Sequence, residues 1–447
     1  MNLSDTIVAL ATAAGRGPIS IIRLSGPESL SIAETLSHKS LKPRLPTYGH
    51  IYDHHNILDS GLWIFFQAPQ SFTGENVVEF QGHGGPIVVQ AVLGSMTKLG
   101  ARIAGPGEFS QRAFLNNKID LTQAEAISDI INATSLNAIK AANQSLKGVF
   151  ASAINELIQD LKNLRTQIEA HIDFPDEDIN PANIDLFENQ IAKLESKLRT
   201  SIQSAQEGAR LNKTTEIVLV GAPNTGKSSL LNALAKEPLS IVTDIPGTTR
   251  DLIRYDLLID GLEIRVTDTA GIRPTADKIE AEGIRRAIKA IETADLVLCL
   301  FDERYDEITE KNITDLIGTN PSANIGIIKT KQDLQTSSTI NKTERPLIEI
   351  SSVTEIGLDQ FKNWLLQELN INLSSDTAFL ARGRHVALLE KALGYVVQAR
   401  NHNIQIETID LIADDLRLTQ NALSEITGAF TSDDLLGSIF STFCIGK

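Results

Sequence analysis

The segment from Thr215 to Ser228, TEIVLVGAPNTGKS, passes from an apolar β-prone run straight into Gly221-xxxx-Gly226-Lys227-Ser228, and few chain topologies accept that junction. The glycines admit dihedrals that turn backbone N–H groups inward around a phosphate, and a helix starting at the Gly-Lys-Ser end offers its positive pole to the same anion. Asn224, Thr225, Gly226, Lys227, Ser228 and Ser229 would then surround the phosphates, Lys227 reaching the β and γ oxygens and Ser228 ligating Mg2+. A glycine-rich turn without a ligand is the competing reading. The complete Gly-Lys-Ser ending between a strand and a helix counts against it.

Downstream, strand-like and helical runs alternate. LIRYDLLI and LEIRVT flank an Asp260-Gly261 turn, and IEAEGIRRAIKAIE, LVLCLFD, NIGIIKT and PLIEIS follow, which predicts a mixed sheet with one hairpin in an α/β unit. Upstream, ISIIRL (19–24), LWIFF (62–66) and NVVEF (76–80) are short β-rich runs broken by glycine and proline, the pattern of a compact α+β domain. From Thr122 to Ile172, about 184 to 206, 379 to 400 and 408 to 428, apolar residues recur at helical spacing. Helices on both sides of an α/β unit imply an insertion, since neither amphipathic half buries its face alone. The expected divisions are 1–118 (α+β), 119–205 (first helical half), 206–373 (α/β) and 374–447 (second helical half).

The net charge of −15 is unevenly placed: residues 1–118 hold nine Lys/Arg and eight Asp/Glu, and the remainder 32 against 48. Such a balance excludes a broad polyanion-binding face and leaves room only for a local one. No stretch approaches the ~18–20 apolar residues that cross a bilayer, and the N-terminus lacks a charged secretory start, so a cytoplasmic protein with no membrane partner is expected. Two cysteines, Cys299 and Cys444, exclude a disulfide framework or a cysteine-rich metal site. Cys299 lies in an apolar strand run and reads as packing. Cys444, in SIFSTFCIGK, reads either as an exposed reactive thiol or as a small buried side chain.

Three further segments complete a guanine-nucleotide site. Asp268-Thr269-Ala270-Gly271 ends a strand, so that Asp268 faces Mg2+ and the Gly271 N–H faces the γ-phosphate. Thr249, in Gly247-Thr248-Thr249-Arg250, can close on Mg2+ when a γ-phosphate is present. Thr330-Lys331-Gln332-Asp333 resembles the NKxD motif of GTPases with threonine for asparagine, and the Asp333 carboxylate matches N1–H and the 2-amino group of guanine. Ser351-Ser352-Val353 stands where a backbone contact supports guanine O6. Ile272 follows DTAG where Ras-like enzymes place a water-orienting glutamine, so the catalytic group must come from elsewhere. Asn224 and the stretch Thr243-Asp244-Ile245-Pro246-Gly247-Thr248 offer oxygen ligands of low charge suited to a monovalent cation. For Asn224, a turn residue tolerating unusual dihedrals is an equal alternative.

GAPNTGKSSLLNAL, VTDIPGTTRD and DTAGIR together resemble the tRNA modification GTPase family called MnmE or TrmE. DTIVALATAAGRGPISIIRLSG, SFTGENVVEFQGHGG, PGEFSQRAFLNNKIDLTQAEAISDII and the closing FCIGK are similar to that family's segments in the same order. The resemblance implies a Ras-like P-loop GTPase domain inserted in an all-α helical domain and preceded by an α+β tetrahydrofolate-binding domain that pairs in a homodimer. It implies K+ held by Asn224, Thr243, Ile245 and Thr248, and Glu280 orienting water, where a solvated helix-opening glutamate is the plain alternative. Arg23, Glu79, Lys118 and Lys447 would be folate ligands, Lys118 being equally an ordinary surface charge, and His83 either lines that pocket or is a turn residue. With an FAD-dependent partner of the MnmG or GidA type, in a heterotetramer or larger complex, such a protein would add an aminomethyl or carboxymethylaminomethyl group at C5 of the wobble uridine (U34) of certain tRNAs. Its carbon donor would be 5,10-methylenetetrahydrofolate, with 5-formyltetrahydrofolate as a bound analogue, and Lys227, Glu280 and Cys444 would be its catalytic groups. The alternative is a ribosome-assembly or regulatory GTPase, which has no use for QGHGG, LNNKID or CIGK.

Overall fold

The computed structural model describes residues 5–133, 135–173, 181–211, 215–222, 224–235, 253–259, 262–268, 288–302, 324–334, 346–369, 379–402, 408–429 and 433–446. Two compact units emerge: residues 1–128, 145–198 and 388–447 form one, and residues 129–144 with 199–387 the other.

In the first unit, β1 (Ile7–Leu10), β2 (Gly17–Ser25), β3 (Thr47–Asp53), β4 (Asn56–Phe66), β5 (Val77–Gly84) and β6 (Arg102–Ile103) form a sheet ordered β3-β4-β5-β2-β1-β6. Its pairs are antiparallel except β1 with β6. Because side chains alternate along a strand, one face collects Val8, Ile22, Leu24, Trp63, Phe65, Val78 and Phe80. Helices α1 (Ser29–Ser37) and α2 (Pro86–Lys98) cover it with Ile32, Leu36, Val92 and Met96. Trp63 and Phe80 are fully buried with ring centroids 4.6 Å apart; burying a side chain the size of Phe80 contributes about 1.5–3 kcal/mol. The other face is covered differently. Helix α3 (Glu108–Leu115) packs Phe109 against Ile7 and Ala9 at the β1 end.

The stretch from Thr122 to Ile172 is divided into α4 (Leu121–Asn132), α5 (Leu136–Leu146) and α6 (Val149–Asp173), with Gly148 at φ +82 before α6. Helix α7 (Pro181–Leu211) follows. Beyond the α/β unit come α10 (Gly383–Asn401), α11 (Ile409–Thr427) and α12 (Asp433–Ser441). Helix α10 starts later than its apolar period suggests, because Leu380 and Ala381 are buried ahead of it in extended chain. Arg165 of α6 donates to Gln420 of α11 at 2.6 Å, and Arg400 of α10 to Glu195 of α7 at 2.8 Å. Helices from the two sides of the α/β unit therefore share one core. Phe440 and Phe443 pack with Leu121 and Ala124, which brings the C-terminal segment to the α3–α4 corner.

The second unit holds β7 (Thr215–Gly221), α8 (Lys227–Ala235), β8 (Ile253–Ile259), β9 (Leu262–Asp268), β10 (Leu296–Phe301), β11 (Asn324–Lys329), β12 (Leu347–Glu349) and α9 (Leu358–Glu368). Its sheet runs β12-β11-β10-β7-β9-β8, parallel except for the β8–β9 hairpin, the mixed sheet that the patterning implies. Ile217, Leu219, Leu298 and Ile328 pack against Leu230 and Leu234 of α8 and Phe361 of α9, while Val218, Val297 and Ile327 face the other side. A strand buried on both faces reads as one continuous apolar run, as TEIVLVG and LVLCLF do. Strand order reverses at β7, and ligands of such sheets bind outside the carboxyl ends of the strands at that switch point.

Candidate functional site

The loop after β7 occupies that switch point. A Cβ on Gly221 would lie 2.6 Å from the Leu300 carbonyl oxygen, so only glycine lets the loop turn against β10. Gly226 takes φ +92 and Asn224 φ +66, left-handed conformations that point successive N–H groups to one side. Lys227 is nearly buried, its Nζ donating to the carbonyls of Gly221 (2.9 Å) and Ala222 (3.0 Å). The ammonium thus lies folded over the loop. Thr225 is buried and its hydroxyl donates to Ala222 O at 2.8 Å, whereas Asn224, Ser228 and Ser229 are exposed, the two serines in the first turn of α8. Asp268 closes β9 opposite Leu219 of β7.

The segment expected to read guanine comes from the ends of β11 and β12. Thr330, where the motif has asparagine, is 2% exposed, and its hydroxyl donates to the Thr225 carbonyl at 2.6 Å. The side chain ties this segment to the phosphate loop across the sheet. Lys331, at φ +56, pairs with Asp302 at 2.6 Å. Fully buried Ser351 donates from Oγ to Asp333 Oδ1 at 2.6 Å, which fixes the carboxylate, while Val353 is 79% exposed. Asp302, which ends LVLCLFD, and the partnership of Ser351 with Asp333 escape the sequence; an acid at the end of the strand beside the motif is the only local sign of the first. Thr243, Asp244, Ile245, Pro246, Gly247, Thr248, Thr249, Thr269, Ala270, Gly271, Glu280 and Lys447 lie outside the described residues.

In the first unit, Arg23 and Glu79 are cross-strand partners on β2 and β5 and form an ion pair at 2.8 Å. The guanidinium sits 5.7 Å from the Phe72 ring centroid and 5.8 Å from that of Phe109, a partly buried charged pair between two aromatic planes. Such a pair has the donors and acceptors that a pterin edge and a carboxylate require. Lys118 donates to Pro69 O at 3.0 Å from an exposed position. Cys444 is exposed, so packing does not describe it, and its carbonyl accepts from Gly107 N at 3.3 Å; Cys299 is buried in β10. His83 caps β5 with its ring nitrogen 2.6 Å from Asp59.

A network unseen in the sequence lies in the same unit. Arg112, 1% exposed, meets Asp5 at 2.5 Å, Glu75 at 3.2 Å and Glu108 at 3.3 Å, and Arg102 pairs with Glu108 at 2.6 Å and Asp5 at 2.7 Å. The hydrogen bond from Arg102 outweighs burial and holds the Asp5 carboxyl below its usual range. Burial alone would raise the Glu108 carboxyl, but the Arg102 bond and the Gly105 N–H pull it below normal.

A family model for the MnmE helical domain matches residues 121–444, and one described as the GTP-binding protein TrmE N-terminus matches residues 6–118. The chain is 44% identical over 454 residues to the tRNA modification GTPase MnmE of Proteus mirabilis (strain HI4320), covering 100% of each. To the protein of that name from Neisseria meningitidis serogroup B (strain ATCC BAA-335 / MC58) it is 46% identical over 448 residues, 99% of each. Among solved structures, Era in complex with MgGDPNP and a segment of 16S ribosomal RNA is 24% identical, covering 35% of this chain and 57% of that one, at a TM-score of 0.29. Identity sustained over the whole length, across both sheets and the helices between them, places the chain in the MnmE family of tRNA modification GTPases.

Proposed function

We propose that the chain hydrolyses GTP in the modification of tRNA, as a K+-stimulated enzyme that uses a tetrahydrofolate-bound carbon to build the C5 substituent of the wobble uridine. The division into residues 1–118, 119–205, 206–373 and 374–447 is part of this reading, as are a cytoplasmic location, a homodimer and an FAD-dependent partner of the MnmG or GidA type. Ser228, Thr249 and Asp268 would hold Mg2+; Asn224, Thr243, Ile245 and Thr248 would hold K+. The cation would supply positive charge beside the transferring phosphoryl group, the part an arginine finger plays elsewhere. Lys227 would meet the β and γ oxygens, Asp333 would read the base, and Glu280 would order the attacking water.

The observation that carries the folate half is the Arg23–Glu79 pair on a sheet face, flanked by Phe72 and Phe109. For the cation half it is the exposed Asn224 at φ +66 in the phosphate loop. Glycine tolerates that conformation at least as well as asparagine, so Asn224→Gly preserves a turn and removes only the oxygen. GTP turnover measured in potassium and in sodium should be faster in potassium for the unaltered chain and equal in the two salts for Asn224→Gly. Equal rates for the unaltered chain would end the cation role; retained stimulation in the glycine variant would return Asn224 to a turn residue. For the tRNA half, nucleosides of bulk tRNA from cells lacking the protein should show loss of a C5-modified wobble uridine.

A further inference from the structure

Helices α1 and α2 cover one face of the N-terminal sheet, and α3 covers only the β1 end of the other. Register fixes what the second face presents at its far edge. Tyr48 and His50 of β3 lie opposite Leu62 and Ser60 of β4; Leu62 and Ile64 lie opposite Gln81 and Glu79 of β5; and Glu79 lies opposite Arg23 of β2. Residues directly opposite in antiparallel strands share a face. Tyr48 and His50 therefore stand on the face that carries the Arg23–Glu79 pair, two strand spacings across the sheet and two or four residues along it from Glu79, roughly 12 and 17 Å away.

Four rings run together at this edge. Tyr48 and His50 are 6.4 Å apart by centroid, His50 and Tyr52 5.9 Å, and Tyr52 and His38 stack at 4.5 Å with planes 8° apart. Tyr48 is 63% exposed, and Ser60 holds the His50 ring through Nδ1 at 2.7 Å. Between residues 38 and 55 stand Lys39, Lys42 and Arg44, all exposed, and a single carboxylate, Asp53, already paired with Lys98 at 2.9 Å. Four of the eight histidines of the chain fall in the same stretch. In a chain with net charge −15 this is a local cationic and aromatic strip, the combination that accepts unstacked bases on rings and phosphates on cations.

We infer that the β3 edge, with Tyr48 and His50 on this face, Tyr52 and His38 continuing the row around the edge, and Lys39, Lys42 and Arg44 beside them, docks unpaired nucleotides of the tRNA. The inference rests on the tRNA reading and deepens it: a nucleotide laid on this strip reaches the face on which the proposed folate pair sits. The occupant is RNA rather than a second copy of the chain because rings at stacking distance from one another stand beside exposed cations, a pairing that matches bases and phosphates together.

The test uses the full chain and a fluorescent anticodon stem-loop, with anisotropy read across a salt series. Tyr48→Ala with His50→Ala should weaken binding about ten-fold or more, as ring stacking is removed. Tyr48→Phe keeps the ring and should bind normally, which separates stacking from misfolding. Replacing Lys39, Lys42 and Arg44 by glutamine should flatten the logarithmic salt dependence by about 0.7 for each phosphate that is no longer neutralised. GTP turnover should stay unchanged in all of them. Binding that is indifferent to both sets of substitutions overturns the inference, as does a double-alanine variant that sediments as a smaller species than the parent, which would make the strip a contact between copies. No binding by the unaltered chain also overturns it, while the tRNA reading itself is judged separately by the nucleoside analysis.

Discussion

Replacing Thr330 by valine removes one hydroxyl while keeping a β-branched side chain of nearly the same volume. That hydroxyl belongs to a residue 2% exposed and donates at 2.6 Å to the carbonyl of Thr225, itself 4% exposed. The variant opens no cavity, so the cost is that of leaving a buried acceptor without its donor, about 1–3 kcal/mol. In a unit of this size each kcal/mol lowers Tm by about 2–4 °C, which gives a fall of roughly 2–12 °C. Calorimetry of the full chain identifies the transition concerned, since bound GDP stabilises only the unit that holds it. Nucleotide affinity should fall too, by up to about ten-fold per 1.4 kcal/mol expressed in the bound state, because the bond joins the segment proposed to read the base to the loop proposed to hold the phosphates. Thr330→Ser retains the donor and should lie close to the parent in both measurements. An unshifted transition and unchanged GDP affinity in Thr330→Val, or equal losses in the serine and valine variants, would refute the bridging role.

Ser351→Ala frees the Asp333 carboxylate from its 2.6 Å donor and takes the Oγ acceptor from Thr354 N; it should weaken GDP binding by about five- to ten-fold, on the order of 1–1.5 kcal/mol, and lower the melting transition as well; fluorescence titration with a labelled GDP reads the first. Arg112→Met removes the buried cation shared by Asp5, Glu75 and Glu108 and leaves Glu108 to Arg102; it should destabilise the first unit by about 1.5–3 kcal/mol, the worth of a hydrogen bond to a charged group, visible by urea titration. Asp5 and Glu108 titrate lower in the folded chain than in the unfolded one, so the folded state binds fewer protons in acid. Their contribution is complete above about pH 4 and is lost as pH falls through the folded values; Arg102→Met should move the acid-unfolding midpoint of this unit to higher pH. Arg23→Met and Glu79→Gln should each abolish binding of a reduced folate in calorimetric titration and leave GTP turnover intact, and retained binding in both would remove the pair from the folate proposal.

What the sequence determined by itself is what depends on neighbours along the chain. The Gly221-to-Ser228 loop, the alternating runs of the mixed sheet and the helical periods read over 122–172 and 408–428, which fold as α4 to α6 and as α11, are local patterns, because backbone dihedrals and side-chain periodicity act over a few residues. Asp333 could be named for the same reason: its chemistry is its own and its place follows a strand. Thr330 could not be assigned a task, since its partner Thr225 lies 105 residues away, and Ser351 could be given a backbone contact but not its carboxylate. The Arg112 network joins residues from Asp5 to Arg112, and the ring row depends on a strand register in which a slip of one residue would turn Tyr48 and His50 into the core. Tertiary structure decided these because hydrogen bonds, ion pairs and shared sheet faces are set by distance in space. Sequence spacing carries no record of that distance once the chain has passed through a turn.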